Sequence, residues 1–291
     1  RPPAHRSRPA RTAAGPEIQK PGHVRIRLTV AFEGTRYAGW QTQPGRVTVQ
    51  ETVEQALGRL FGTAPDLYSS SRTDAGVHAL GMAAHFDVPK EQLRMPPRKL
   101  VLAVNAWLPE DIRVTSAART RKEFHARYSA RGKQYRYFVW NHAAHSPLER
   151  HRSWHVPRRL DLVRMRAAAR SLVGQHDFLA FSASPGYARR HTIRTVTRCD
   201  VRRSGDQVMI VIEADGFLYK MCRGIAGTLV QVGLGRFSPE SLVPMLESRD
   251  RRLAGMSAPA QGLVLWKVAY RKRPGDSVAD PAETEESSGL E

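Results

Sequence analysis

The densest concentration of chemically capable side chains is Ser69-Ser70-Ser71-Arg72-Thr73-Asp74-Ala75-Gly76-Val77-His78-Ala79. A carboxylate can act as a nucleophile or take a proton, and an imidazole can serve as a general base. A guanidinium can hold a carboxylate or a phosphate. The residues alone leave two readings of Asp74. Before Ala75-Gly76 it suits a turn, with its carboxylate bonding nearby backbone N–H groups and Arg72 a solvated neighbour. It also suits a reactive group presented on a polar loop. Two further candidates are equally double-edged. Tyr135 reads as a core aromatic on a strand or as an aromatic contact for a ligand. Arg223 reads as a helix residue paired to a surface acid or as the partner of a buried one.

These residues need elements to hold them. Val24, Ile26, Leu28, Val30 and Phe32 alternate strictly, the pattern of a half-buried strand. Thr48-Val49-Gln50-Glu51 is a capping-box pattern, followed by Val49, Val53, Ala56, Leu57 and Leu60 at helical spacing. Met82, Ala84, Phe86 and Val88 predict the strand that Asp74 leads into. Pro96-Pro97 opens an apolar segment, Leu100 to Leu108, stopped by Pro109. The second half repeats the style. It has a strand over Gln134–Trp140 with Tyr135, Tyr137 and Val139 on one face, then a helix over Leu160–Leu172. A strand over Val208–Ile212, a buried helix over Phe217–Val232 and an alternating segment over Leu263–Tyr270 follow. The Ser182–His191 stretch reads as a loop. The order predicts two α/β halves, residues 23–120 and 121–271, with mixed or antiparallel sheets.

The 291 residues carry 46 Lys+Arg against 27 Asp+Glu, a net charge of +19. Residues 1–22 are rich in Pro, Ala and Arg and read as a disordered basic tail; residues 272–291 read as a disordered acidic one. Arg1, Arg6, Arg8, Arg11 and Lys20 outweigh Glu17 at the start. Asp276, Asp280, Glu283, Glu285, Glu286 and Glu291 outweigh Lys272 and Arg273 at the end, so the two tails cancel. The excess charge therefore belongs to the body, which points to a polyanionic partner. The arginine-rich start has the composition of a transit peptide, but its prolines oppose an amphipathic helix. With Cys199 and Cys222 the only cysteines, a disulfide scaffold is excluded. There is no phosphate-binding glycine loop, HExxH or CxxC, so no metal or cofactor is expected. No apolar run reaches a membrane span, and a cytoplasmic location is expected.

Arg72-Thr73-Asp74-Ala75-Gly76-Val77-His78-Ala79 resembles the signature of the tRNA pseudouridine(38–40) synthases, the TruA family. Further segments resemble that family in order. Tyr37-Ala38-Gly39-Trp40-Gln41-Thr42-Gln43 comes first, then Asn105 with Leu108-Pro109-Glu110-Asp111-Ile112, and Phe124-His125-Ala126-Arg127. Lys133-Gln134-Tyr135-Arg136-Tyr137, Gly174-Gln175-His176-Asp177-Phe178 and Phe217-Leu218-Tyr219-Lys220-Met221-Cys222-Arg223 continue the series, which Ala258-Pro259-Ala260-Gln261-Gly262-Leu263 closes. The matches run in family order from about residue 24 to residue 270.

The resemblance implies an isomerase that converts uridine to its C-glycoside in the anticodon stem-loop of tRNA. It implies a homodimer without cofactor, and two related halves sharing a continuous antiparallel sheet around a basic cleft. Asp74 becomes the catalytic carboxylate, with Arg223 its ion-pair partner and Tyr135 the base contact. Arg72 handles substrate, His78 is structural, and Trp40 and Gln41 are structural or loop contacts. The chain departs from the family pattern at Ser71 for Gly, Lys220 for His and Gly224 for Asn. Gly224 is expected to weaken its helix by about 0.5–1 kcal/mol unless close packing requires it. Two other readings are a synthase acting on another RNA and a non-catalytic RNA-binding protein on the same fold.

Overall fold

The computed structural model describes residues 22–184 and 191–271. The tails expected at the two ends, Gly22 apart, and most of the Ser182–His191 loop lie outside the described residues.

The first half runs β1 (His23–Phe32), α1 (Val49–Phe61), β2 (Tyr68–Ser69), β3 (His78–Pro89), α2 (Pro97–Asn105) and β4 (Ile112–Thr120). The second runs β5 (Ala130–Trp140), β6 (Trp154–His155), α3 (Leu162–Arg170), β7 (Gly174–Asp177), β8 (Ile193–Ser204), β9 (Gln207–Ala214), α4 (Met221–Gly233), α5 (Leu242–Ser248) and β10 (Leu263–Tyr270). All ten strands share one sheet, mixed but mostly antiparallel, in the order β4-β1-β3-β10-β5-β9-β8-β7, with β2 on β3 and β6 on β5. The seam between halves is the short parallel pairing of β3 with β10, where Val264 faces His78 and Leu265 faces Ala79.

Cross-strand partners share a face of the sheet. Phe32, Ala79, Leu265, Tyr135, Ile212 and Cys199 are successive partners on β1, β3, β10, β5, β9 and β8. This row is buried throughout and belongs to one apolar core joining both halves. The alternation of β1 explains its half of that core: Ile26, Leu28 and Val30 are fully buried, whereas Arg27, Thr29 and Ala31 are only partly so. The opposite face is polar. There Arg25 pairs with Asp87, Thr29 meets Ser116, and Arg136 stacks on Trp266 at 3.6 Å.

Two local expectations need correction, and two further features add to the reading. Thr48 begins α1 as the capping pattern predicts, but its hydroxyl makes no capping bond. Residues 39 and 40 fold across the helix start instead, and their carbonyls accept the N–H groups of Val49 and Gln50. The helix expected from Phe217 starts at Met221, because Lys220 adopts a left-handed backbone (φ 59) at its N-cap. Strand β8 was not anticipated: Arg, Thr and Asp punctuate it, since much of it is open to solvent. At Gly224 the close packing allowed for in the sequence reading is present. A Cβ there would collide with the Phe181 carbonyl, so the helix approaches that turn more closely than any side chain allows.

Candidate active site

Beyond β2 the chain stays tied to the sheet through Ser70, whose N–H donates to the Ala83 carbonyl at 2.8 Å. It then leaves as the loop carrying Asp74. The Val77 N–H returns to the Asp74 carbonyl at 3.2 Å, and Gly76 supplies the positive φ (+78) that this tight turn requires. The Tyr37–Gln43 segment braces the loop from outside. Trp40 donates its N–H to the Thr73 carbonyl at 3.2 Å and is buried against Phe32. Gly39 (φ +95) lies so close that a Cβ would come within 2.5 Å of the same carbonyl.

Arg223, the third residue of α4, reaches this loop. Its Nη1 donates to Asp74 Oδ2 at 2.9 Å, and its Nε donates to the Ala258 carbonyl at 2.7 Å. The Ala258 N–H returns a bond to the Arg223 carbonyl at 2.9 Å, fixing side chain and backbone together. The two charged side chains are 15% and 21% exposed, so the pair sits at the rim of the interior. Low exposure strengthens the attraction, and the remaining opening leaves the carboxylate reachable.

His78 is structural, as the resemblance implies. Its Nδ1 accepts the Gly34 N–H at 2.9 Å, so its Nε2 carries the proton donated to the Gln261 carbonyl at 3.0 Å. Burial lowers its proton affinity and keeps the ring neutral.

Tyr135 lies in the middle of the sheet, close enough to Asp74 to sense its charge. Burial, reinforced by the Cys222 and Asp74 side chains, pushes its phenol far above the usual range, so it stays protonated. The ring is 7% exposed, and Phe217 stands edge-on to it at 5.0 Å. The ring is therefore held in one orientation by its neighbours. Tyr137, two residues on, is wholly buried with its hydroxyl on the Pro259 carbonyl. Arg72 is exposed, one turn of the loop away, with no ion pair among the described residues. Asp74 and Arg223 thus come together, Tyr135 lies within range of the Asp74 charge, and Arg72 stands apart on the solvent side.

Three contributors carried no role in the sequence reading. Phe217 supports the Tyr135 ring. Residues 258–262 tie the site together through bonds to Arg223, Tyr137 and His78. Lys133, on the same face of β5 as Tyr135, donates from Nζ to the Ser70 carbonyl at 2.8 Å. Its signal was a lysine at period two from Tyr135 on a buried strand face. Among the described residues, no group of His, Cys, Asp and Glu is placed to hold a metal.

A family model described as tRNA pseudouridine synthase matches residues 28–129 and 168–271. The chain belongs to the tRNA pseudouridine synthase family. It is accordingly an isomerase by family. The matched blocks contain Arg72, Asp74 and Arg223, and Tyr135 falls between them. Relatives within this family cover the chain broadly. It is 47% identical to the tRNA pseudouridine synthase A of Syntrophotalea carbinolica over 245 residues, 84% of this chain and 96% of that protein. It is 45% identical to that of Pelobacter propionicus and 43% identical to that of a Thermoanaerobacter species, over 84% of this chain and 99% of each relative. As a synthase of this family it has, among the described residues, no helix long and apolar enough to cross a membrane.

Proposed function

We propose that this protein converts uridine to pseudouridine at positions 38–40 of the tRNA anticodon stem-loop, with Asp74 as the catalytic carboxylate. The observation that carries the reading is the Arg223–Asp74 pair at 2.9 Å at the rim of the core. The reaction breaks the bond from C1′ to N1 and forms one from C1′ to C5. The C5 proton passes to solvent and N1 takes one up, so atoms balance without a second substrate. An ionised carboxylate serves this chemistry by adding to C1′ or by taking a proton from the sugar. Arg223 fixes the direction of that carboxylate.

A uridine inside a stem-loop must leave the stack before its sugar can meet Asp74. Tyr135 is the proposed contact for the displaced base, and stacking on an aromatic ring contributes about 1–3 kcal/mol. Arg72, exposed on the same loop, is assigned to the RNA backbone or to the space the base vacates. The excess positive charge of the body supplies attraction for the rest of the stem-loop. We read the chain as two halves, residues 23–120 and 121–271, with the basic cleft between them, and as a homodimer. Its proposed location is the cytoplasm, in keeping with Cys199 and Cys222, which are free and buried.

The test is tritium release from tRNA labelled at uridine C5. Asp74→Ala is expected to abolish release while tRNA binding survives; wild-type release in that variant would end the assignment. Mapping the product by position decides between the anticodon arm and another site, and light scattering checks the dimer.

A further inference from the structure

Lys133 is a half-buried lysine whose place in the site the reading above leaves unused. Its side chain runs from β5 beneath the loop, and its ammonium donates to the Ser70 carbonyl at 2.8 Å. Among the described residues this ammonium pairs with no carboxylate. An ammonium largely removed from water without a counter-charge is unfavourable, so it contributes little to stability by itself. Its position, however, is specific. Ser70 is fully buried and is the last residue held to the sheet before the loop, through its N–H on the Ala83 carbonyl and its hydroxyl on the Met82 sulfur. Four residues later the chain presents Asp74. Lys133 and Tyr135 are neighbours on one face of β5.

We propose that Lys133 is a positioning residue for the isomerisation: its ammonium ties the root of the Asp74 loop to the strand that carries Tyr135, fixing the distance between carboxylate and base contact. The proposal rests on the reading of Asp74 given above. Arg223 restrains the loop from α4 and Trp40 from the outer segment; Lys133 is the tie from the tyrosine's own strand. A displacement of about an ångström at a reacting group lowers turnover by roughly a hundredfold, so a small relaxation of this root is enough to matter.

The tie is sensitive to protonation. Burial pushes the Lys133 ammonium down to about 8, and the positive charges of Arg127 and Arg194 act in the same sense, opposed by the Cys222 thiol on α4. The tie is therefore complete at neutral pH and loosens as the ammonium loses its charge above that value.

The experiment measures single-turnover tritium release from C5-labelled tRNA for the full-length wild type, Lys133→Met, Lys133→Arg and Asp74→Ala, from pH 6 to 10. Lys133→Met is expected to lose roughly tenfold or more in maximal rate with its half-saturating tRNA concentration little changed. Lys133→Arg, permanently charged, is expected to recover much of that rate, and its alkaline decline is expected to lie above that of the wild type. A decline caused by the substrate would be shared by both proteins. A wild-type rate in Lys133→Met overturns the proposal, and so does a loss confined to tRNA affinity, which would make Lys133 a phosphate contact. An unshifted alkaline limb in Lys133→Arg also overturns it, and this arm remains decisive if Lys133→Met folds poorly. An active Asp74→Ala variant defeats the carboxylate reading; an inactive one beside a wild-type Lys133→Met defeats the Lys133 proposal alone.

Discussion

Arg223 and Asp74 stand 149 residues apart in the chain and meet at 2.9 Å, with the Arg223 Nε held by Ala258 on its other side. The guanidinium therefore does two things in fixed geometry: it anchors to backbone and it aims a carboxylate. A lysine has the charge but not the fork needed to do both.

Arg223→Lys is accordingly expected to reduce turnover about tenfold to a hundredfold, and Arg223→Met further, because it leaves the carboxylate unpaired in a largely dry place. Rates of pseudouridine formation at saturating tRNA check this. Equal rates in wild type and Arg223→Met would show the pair to be irrelevant to the chemistry.

Tyr135 gives a second separation of roles. Its phenol is protonated throughout the working range and its ring is held by Phe217. If the ring is what matters, Tyr135→Phe stays within a few-fold of wild type while Tyr135→Ala loses roughly ten- to a hundredfold, the stacking contribution of one base. The comparison uses turnover with one tRNA substrate. A collapse in Tyr135→Phe would instead assign the work to the hydroxyl.

Away from the site, His85 sets an acid limit on the fold. Burial, helped by the neighbouring His125 and by Arg25, pushes it down to about 3. The unfolded chain then binds a proton that the folded one refuses. Stability from this group is complete above about pH 6.5 and is lost as pH falls toward 3. Urea unfolding at several pH values is expected to show this slope in wild type and a shallower one in His85→Gln.

Gly224 offers a test in which two simple rules disagree. Helix propensity predicts that Gly224→Ala stabilises α4 by about 0.5–1 kcal/mol. The Phe181 carbonyl occupies the place of the new Cβ, so overpacking predicts a loss of about 1–3 kcal/mol or more. Thermal unfolding of that single variant decides, and a drop in midpoint is expected.

The same residue shows where sequence reading stops. Alternation in β1, β3, β5 and β10 was legible because one face of each is buried and the period is two. Strand β8 was not, since exposure admits the arginines and threonines that break the pattern. The start of α4 was missed because a left-handed Lys220 has no signature of its own. At the site, the Asp74 loop stood out by its residues, but a catalytic reading of it and of Tyr135 came only with an ordered family resemblance. Their meeting with Arg223 depends on the approach of α4 to the sheet, which no local pattern encodes. Lys133 left only the signal of a lysine on a buried strand face, because its partner is a backbone carbonyl, and carbonyls leave no mark in a sequence.

Strand β10 lies between β3 and β5 although it is the last strand among the described residues. A ribosome therefore releases nine strands before the one that joins the two halves. Until Leu263–Tyr270 emerges, β3 and β5 present bare edges where β10 later pairs with both. A nascent or prematurely terminated chain is thus prone to pair with its neighbours through those edges. The seam between the halves closes only after translation has passed residue 270.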